Sequence, residues 1–399
     1  MLIGCVGKPS TGKSTFFKAM TLAEVMIAAY PFTTIKPNRG FGYVKIDCVD
    51  KDFNVQCNPR FGYCIEHKRF VPVELIDVAG LVPGAHMGLG LGNEFLDDLR
   101  QADVLIHIVD VSGSTNEKGD NVPTGSYDPL NDIRFLEEEI DLWFLSIMKK
   151  SWEKMARQMQ QEHKEPYKEI AKQFSGLKVT EDLAKLIIDK LKLNREDATK
   201  WSEDDLLNFA REIRKATKPM VIAANKIDIP GADKNFERLK AEFPDYIIVP
   251  CSAESEVALK EAAKHELIKY IPGDGKFEVL QLEKLNEKQM KALEFIDVNV
   301  LHKFGGTGVQ QALDEAVFKL LKYIAIYPGG VGKLVDSEGR VLPDCFLMPP
   351  NTTALDFAFK LHTDFGKNFI RAIDVKKKMP VGKDHKLQHR DVVEIVAGR

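Results

Sequence analysis

The segment Gly7-Lys8-Pro9-Ser10-Thr11-Gly12-Lys13-Ser14-Thr15 places a lysine and two hydroxyls directly after the second of two spaced glycines. That spacing matches the phosphate-loop template, provided a strand precedes it and a helix follows. The chain from Gly7 through Pro9, Ser10, Thr11 and Gly12 would wrap phosphates with its backbone, at a helix N-terminus whose dipole favours anions. Lys13 would bridge the β and γ phosphates, Ser14 would ligate Mg²⁺, and Thr15 would complete the phosphate contacts.

The loop alone does not choose between purines. Asn225-Lys226-Ile227-Asp228 supplies the choice. A carboxylate at Asp228 can accept hydrogens from the guanine N1–H and exocyclic amine; adenine would leave that acid unpaired, a mismatch of about 1–3 kcal/mol or more. Asn225 would tie the loop together, and the stem of Lys226 would cover the flat face of the base. Downstream, Cys251-Ser252-Ala253 ends another apolar run, where a backbone N–H of Ser252 or Ala253 can meet guanine O6.

Two further stretches are suited to sensing a γ-phosphate. Asp77-Val78-Ala79-Gly80 would hold a Mg²⁺-bound water on Asp77 and offer the Gly80 N–H. Tyr30-Pro31-Phe32-Thr33-Thr34 would give a hydroxyl to the metal from Thr34. The glycine-rich stretch from Gly84 to Gly92 would be the part that moves. Leu81 stands where a glutamine would orient the attacking water, so hydrolysis is expected to be slow, and His86 is the nearest candidate catalytic group.

These residues need strands and helices to hold them. Apolar, β-branched runs at Leu2 to Val6, Val71 to Asp77, Val104 to Asp110, Met220 to Asn225 and Tyr246 to Cys251 alternate with helical patterns, as in a parallel sheet covered on both faces. Ile133, Leu136, Ile140, Trp143 and Ile147 follow a 3,4,3,4 spacing, which predicts a long amphipathic helix or antiparallel coiled-coil arm. Shorter helices open near Thr180, with Leu183, Leu186, Ile187 and Leu191 on one face, and near Ser202, with Asp205 placed to cap. Helices are expected from Leu282 to Tyr323, before a break at Tyr327-Pro328-Gly329-Gly330. A small α+β unit with a capped helix from Thr352 closes the chain. The resulting division is an α/β domain of residues 1–127 and 217–275, a helical insertion 128–216, a helical connector 276–326 and a C-terminal domain 327–399.

Composition narrows the setting. The 399 residues carry 56 Lys+Arg against 59 Asp+Glu, a net charge of −3, so no global field attracts nucleic acid; DNA is not expected and any RNA contact must be local. The N-terminus lacks a signal-peptide pattern, and no apolar run nears the roughly 20 residues of a membrane span. A cytoplasmic chain with no membrane partner is the expectation. Six cysteines do not suggest a disulfide framework. Cys48, Cys57 and Cys64, with His67 behind them, could hold a metal or a redox bridge, but no Cys-x-x-Cys pair is present and ordinary thiols are expected.

Gly7 to Thr15, Tyr30 to Thr34, Asp77 to Leu81 with Gly88-Leu89-Gly90-Leu91-Gly92-Asn93, and Asn225 to Asp228 resemble the Obg-related GTPases. Glu94-Phe95-Leu96 and Asp128-Pro129-Leu130-Asn131-Asp132-Ile133 resemble their YchF branch. Leu347 to Ala397 resembles a TGS domain, a β-grasp module. The resemblance implies a Ras-like P-loop G domain carrying a helical insertion and a C-terminal α+β domain. It also implies Mg²⁺ as cofactor, slow conversion of GTP to GDP, and a ribosome or RNA partner reached through the TGS domain or the insertion. The family's branch often carries a glutamate variant of the base-reading motif and can prefer ATP; Asn225, Lys226 and Asp228 here point to GTP. Ser10 stands where several relatives use asparagine to hold an activating potassium ion. Lys376-Lys377-Lys378, Lys383, Lys386 and Arg390 are the local basic residues that could touch phosphate. A switch, an RNA-binding scaffold with a structural nucleotide, and an ATP-hydrolysing protein remain the alternatives at this point.

Overall fold

The computed structural model describes residues 1–22, 38–78 and 98–398. In chain order its strands are β1 (Leu2–Val6), β2 (Arg39–Asp47), β3 (Tyr63–Ile65), β4 (Lys68–Asp77), β5 (Val104–Asp110), β6 (Met220–Asn225) and β7 (Ile247–Pro250). They continue as β8 (Ile268–Tyr270), β9 (Phe277–Val279), β10 (Ile324–Pro328), β11 (Phe346–Met348), β12 (Phe369–Asp374), β13 (Met379–Val381) and β14 (Asp391–Ala397). The chain divides into two compact units, one of Met1–Phe17 and Leu75–Glu254, the other of Lys18–Glu74 and Ser255–Arg399.

In the first unit β5 lies parallel to β1 on one side and to β6 on the other, and β6 is parallel to β7. β1, β5 and β6 are buried along their whole length, which explains why they read as unbroken apolar runs. Because all four run the same way, Gly7, Val111, Lys226 and Cys251 emerge together at their carboxyl ends. The end of β4 joins them there through a Val78 N–H donated to Cys5 O at 3.1 Å.

Five helices fill the interval between β5 and β6: Leu130–Lys149, Trp152–Gln161, Pro166–Gln173, Glu181–Lys190 and Glu203–Thr217. They do not form a coiled-coil arm. Leu136, Ile140, Trp143, Phe209 and Ile213 share one buried cluster with Leu2, Val6, Ile76 and Leu105, so the insertion is continuous with the core of the sheet. Two of its helix starts are capped. Thr180 accepts from Leu183 N–H, and Ser202 and Asp205 form a reciprocal capping box. The face expected on Glu181–Lys190 is corrected: Ala184, Ile187 and Ile188 are buried, whereas Leu186 is 66% exposed.

In the second unit β3 and β4 form an antiparallel hairpin whose two turn residues, Glu66 and His67, have φ of 46° and 62°. Both lie in the left-handed region that a two-residue hairpin turn demands. β8 and β9 make a second, unanticipated hairpin. The C-terminal sheet has the order β11-β10-β14-β12-β13, and the helix Ala354–Leu361 buries Phe357 against Ile326, Met348, Ala372 and Val393. Its first strand begins at Ile324, so Tyr327-Pro328 is a strand end rather than the expected break. The helix cap is Thr353, one residue beyond Thr352.

Candidate nucleotide-binding site

After β1 the chain turns at Gly7, where a Cβ would stand 2.7 Å from Ile108 O, so only glycine fits. Gly12 has φ +88°, and a Cβ there would strike the Asn225 amide. Between them Ser10 also adopts a left-handed conformation, with φ 63°. The helix Lys13–Thr21 begins at once, with Phe16 N–H donated to Gly12 O. Lys13, Ser14 and Thr15 therefore stand in its first turn, Ser14 exposed and Lys13 and Thr15 partly so. The Lys13 ammonium is paired with the Asp77 carboxylate at the end of β4.

Asn225 organises the base-reading side. It is 2% exposed; its Nδ2 donates to Thr11 O at 2.9 Å, and its Oδ1 accepts from Ala253 N–H at 3.1 Å. One side chain thus joins the phosphate loop, its own loop and the Ser252-Ala253 loop. Ile227 N–H donates to Cys251 O at 3.0 Å, fixing the two loops to each other. Lys226, with φ 62°, reaches Asp110 Oδ2 at 2.8 Å. Asp228 is half-buried, and among the described residues no hydrogen bond or ion pair engages its carboxylate. Ser252 and Ala253 are both buried at this corner.

Two buried ionic contacts complete the arrangement, and the sequence did not single them out. Asp110 is 1% exposed and opposes Asn225 across the β5–β6 register. Burial works against its charge, but donation from Lys226, Ser112 and Thr115 outweighs this and holds its pKa below the ordinary value. Lys8 does not face outward: its Nζ donates to Asp132 Oδ1 and to Thr115 O, each at 2.9 Å, and lies 3.8 Å from the Tyr127 ring centre. Burial pushes the Asp132 carboxyl up to about 6 despite Lys8 and the Tyr127 hydroxyl, and lowers the Lys8 ammonium. The pair locks the phosphate loop onto the start of the helical insertion. Asp110, ending an apolar run level with Asn225, was detectable in the sequence; the Lys8–Asp132 separation along the chain was not.

Thr34, Gly80 and His86, with Leu81 and the glycine-rich stretch from Gly84 to Gly92, lie outside the described residues. The remaining oxygen donors, the Ser14 hydroxyl and the Asp77 carboxylate, suit a hard cation such as Mg²⁺. Backbone N–H groups at a helix start, one lysine and a free carboxylate at the far end can together bind an anionic tail and a base with paired N–H donors.

Three family models match the chain. Residues 2–150 match "50S ribosome-binding GTPase", residues 223–330 match "Obg-like GTPase YGR210-like, G4 motif-containing domain", and residues 331–397 match "TGS domain". The chain is 51% identical to an uncharacterized GTP-binding protein of Methanocaldococcus jannaschii, covering 99% of both. It is 28% identical to the ribosome-binding ATPase YchF of Buchnera aphidicola, covering 94% of this chain and 88% of that one. A crystal structure of a GTP-binding protein from Pyrococcus horikoshii superposes with a TM-score of 0.78 at 40% identity, over the full length of both.

Proposed function

We propose a function from the premise that the chain belongs to the Obg-like P-loop GTPases of the YchF branch and ends in a TGS domain: it is a Mg²⁺-dependent guanine-nucleotide switch that slowly converts GTP to GDP in the cytoplasm and reports its state to a ribosomal or RNA partner. The observation that carries the guanine half is the half-buried Asp228 carboxylate, unengaged among the described residues and presented by a loop that Asn225 and Lys226 hold rigid.

In this reading the loop from Gly7 to Gly12 wraps the phosphates, and Lys13 exchanges its Asp77 partner for β and γ phosphate oxygens. Asp228 accepts from guanine, with Ser252 and Ala253 at O6. Ser14 and Asp77, the latter through water, would hold Mg²⁺, which neutralises charge on the β and γ phosphates. Thr34 and Gly80 are assigned to γ-phosphate sensing and His86 to the hydrolytic water, on sequence grounds. Leu81 in place of a glutamine supports a slow rate.

The Buchnera relative is named a ribosome-binding ATPase, which suggests the partner. On the C-terminal domain Lys376 and Arg390 are paired with Asp52, and Lys377 with Asp374, which leaves Lys378, Lys383 and Lys386 without an ion partner among the described residues, Lys386 meeting only the Asn351 Oδ1 at 3.4 Å. A phosphate contact there would rest on those three. Among the described residues no helix is long and apolar enough to cross a membrane. The test is cosedimentation of the chain with ribosomal particles, loaded with GDP or with a non-hydrolysable GTP analogue. Affinities that differ by more than about tenfold are expected of a switch. Equal affinities would favour a scaffold whose nucleotide is structural.

A further inference from the structure

We propose that Cys48, Cys57 and Cys64, with Asp50, form a binding site for a thiophilic divalent cation, Zn²⁺ by its ligand set. All four belong to the second unit: Cys48 follows β2, Asp50 sits in the short 3₁₀ turn Val49–Phe53, Cys57 lies in the loop beyond, and Cys64 is on β3. One ligand atom from each falls within 4.8 Å of all the others. Cys48 Sγ is 3.5 Å from Cys57 Sγ, and Cys64 Sγ is 3.9 Å from Asp50 Oδ2. A tetrahedral zinc with Zn–S of about 2.3 Å and Zn–O of about 2.1 Å sets its ligands roughly 3.6–3.8 Å apart. The cluster is already close to that size.

The surroundings are those of an anionic metal centre. Asp50 is fully buried; its Oδ2 accepts Cys57 N–H at 3.0 Å and its Oδ1 faces His67 Nδ1 at 3.0 Å. The imidazole that the sequence offered as a ligand therefore acts on the carboxylate instead, orienting it. Arg69, 1% exposed, lies beside the cluster. Its two terminal nitrogens donate to Leu342 O and Pro343 O, its Nε has no partner, and no carboxylate pairs with it among the described residues. A buried guanidinium is costly without an anion. Three thiolates and a carboxylate around a divalent cation carry two net negative charges, one of which Arg69 would balance.

Without a cation the thiols compete. Hydrogen bonds with Cys57 and Cys64 hold the Cys48 thiol far below its usual range, while contacts with Cys48 and then Cys64 push Cys57 up, and the contact with Cys48 raises Cys64. Metal binding would displace the remaining thiol protons to solvent. The bound ion would pin the irregular loop between β2 and β3, whose Asn58 and Arg60 N–H groups reach Val341 O at 2.8 Å and Pro343 O at 2.9 Å. Its role is to fix that loop against the start of the C-terminal domain.

The experiment uses the full-length chain expressed with added zinc and passed over a chelating resin. Elemental analysis is expected to give one zinc per chain, falling at least severalfold in Cys57→Ser and in Cys64→Ser. Replacement by Co²⁺ in the wild type is expected to give the intense visible bands of tetrahedral cobalt with thiolate charge transfer, a readout independent of whether the variants fold. Zinc-free protein with reduced thiols after loading, an octahedral cobalt spectrum, or a Cys48–Cys57 disulfide in the purified chain would each overturn the assignment.

Discussion

Single side chains carry more of this site than their motifs suggest. Lys8 is only a variable position within the phosphate-loop pattern, yet it is buried against Asp132, Thr115 and Tyr127. Asp132→Ala leaves that ammonium buried without its carboxylate, so a loss of about 3–5 kcal/mol in urea-denaturation stability is expected, with weaker nucleotide binding because Lys8 O and Thr11 Oγ1 are bonded at 3.1 Å within the same loop. His107 makes a pH-dependent prediction. It sits fully buried in β5, where burial and then Lys8 lower its pKa to about 3 from the ordinary 6.5. The folded chain keeps it neutral while the unfolded chain takes up a proton, so stability present above pH 6.5 is lost as pH falls toward 3, at up to about 1.4 kcal/mol per pH unit. His107→Leu should flatten that acid limb in melting curves taken between pH 7.5 and 5; an unchanged slope would contradict the assignment. Asn225, Asp228 and the loop glycines were legible because their types and spacing are dictated by the ligand. Lys8 and Asp132 were not, since their meaning comes from burial against each other across more than a hundred residues.

Secondary-structure elements show a similar contrast. The 3,4,3,4 spacing from Ile133 correctly marks a buried stripe on Leu130–Lys149, but it cannot say what covers that stripe; here it is the helix Glu203–Thr217 and the sheet core, not a second arm. On Glu181–Lys190 the small Ala184, which carries little hydrophobic signal, turns the buried face away from Leu186. Substitution makes the difference measurable. Ile187→Ala should cost about 2–5 kcal/mol in thermal or urea unfolding, whereas Leu186→Ser should stay within about 0.5 kcal/mol. Strands were the easier elements, because burial on both faces writes an unbroken apolar run into the sequence.

At the scale of the whole chain, long-range contacts tie together segments that are distant in sequence. Residues 39–74 and 255–275, placed with the α/β domain by motif order, share a compact unit with the C-terminal half. The reasons are long-range polar contacts that no local pattern announces: Asp314 accepts from Lys45 N–H at 2.8 Å, Gln310 donates to Tyr43 O at 2.8 Å, and buried Glu256 accepts from the Tyr270 and Thr307 hydroxyls. The described nucleotide motifs, Gly7 to Thr15, Asp77, Asn225 to Asp228 and Ser252-Ala253, lie together in the first unit, held by parallel strands that end side by side. In the proposed function this corner reads guanine through Asp228. Its most direct test is equilibrium binding of fluorescent GDP and ADP, with GTP and ATP as competitors in Mg²⁺, on the wild-type chain and on Asp228→Ala. Guanine should be preferred by more than about a hundredfold, and the substitution should abolish that preference. ATP competing within about tenfold of GTP, or a variant that keeps full guanine selectivity, would contradict it.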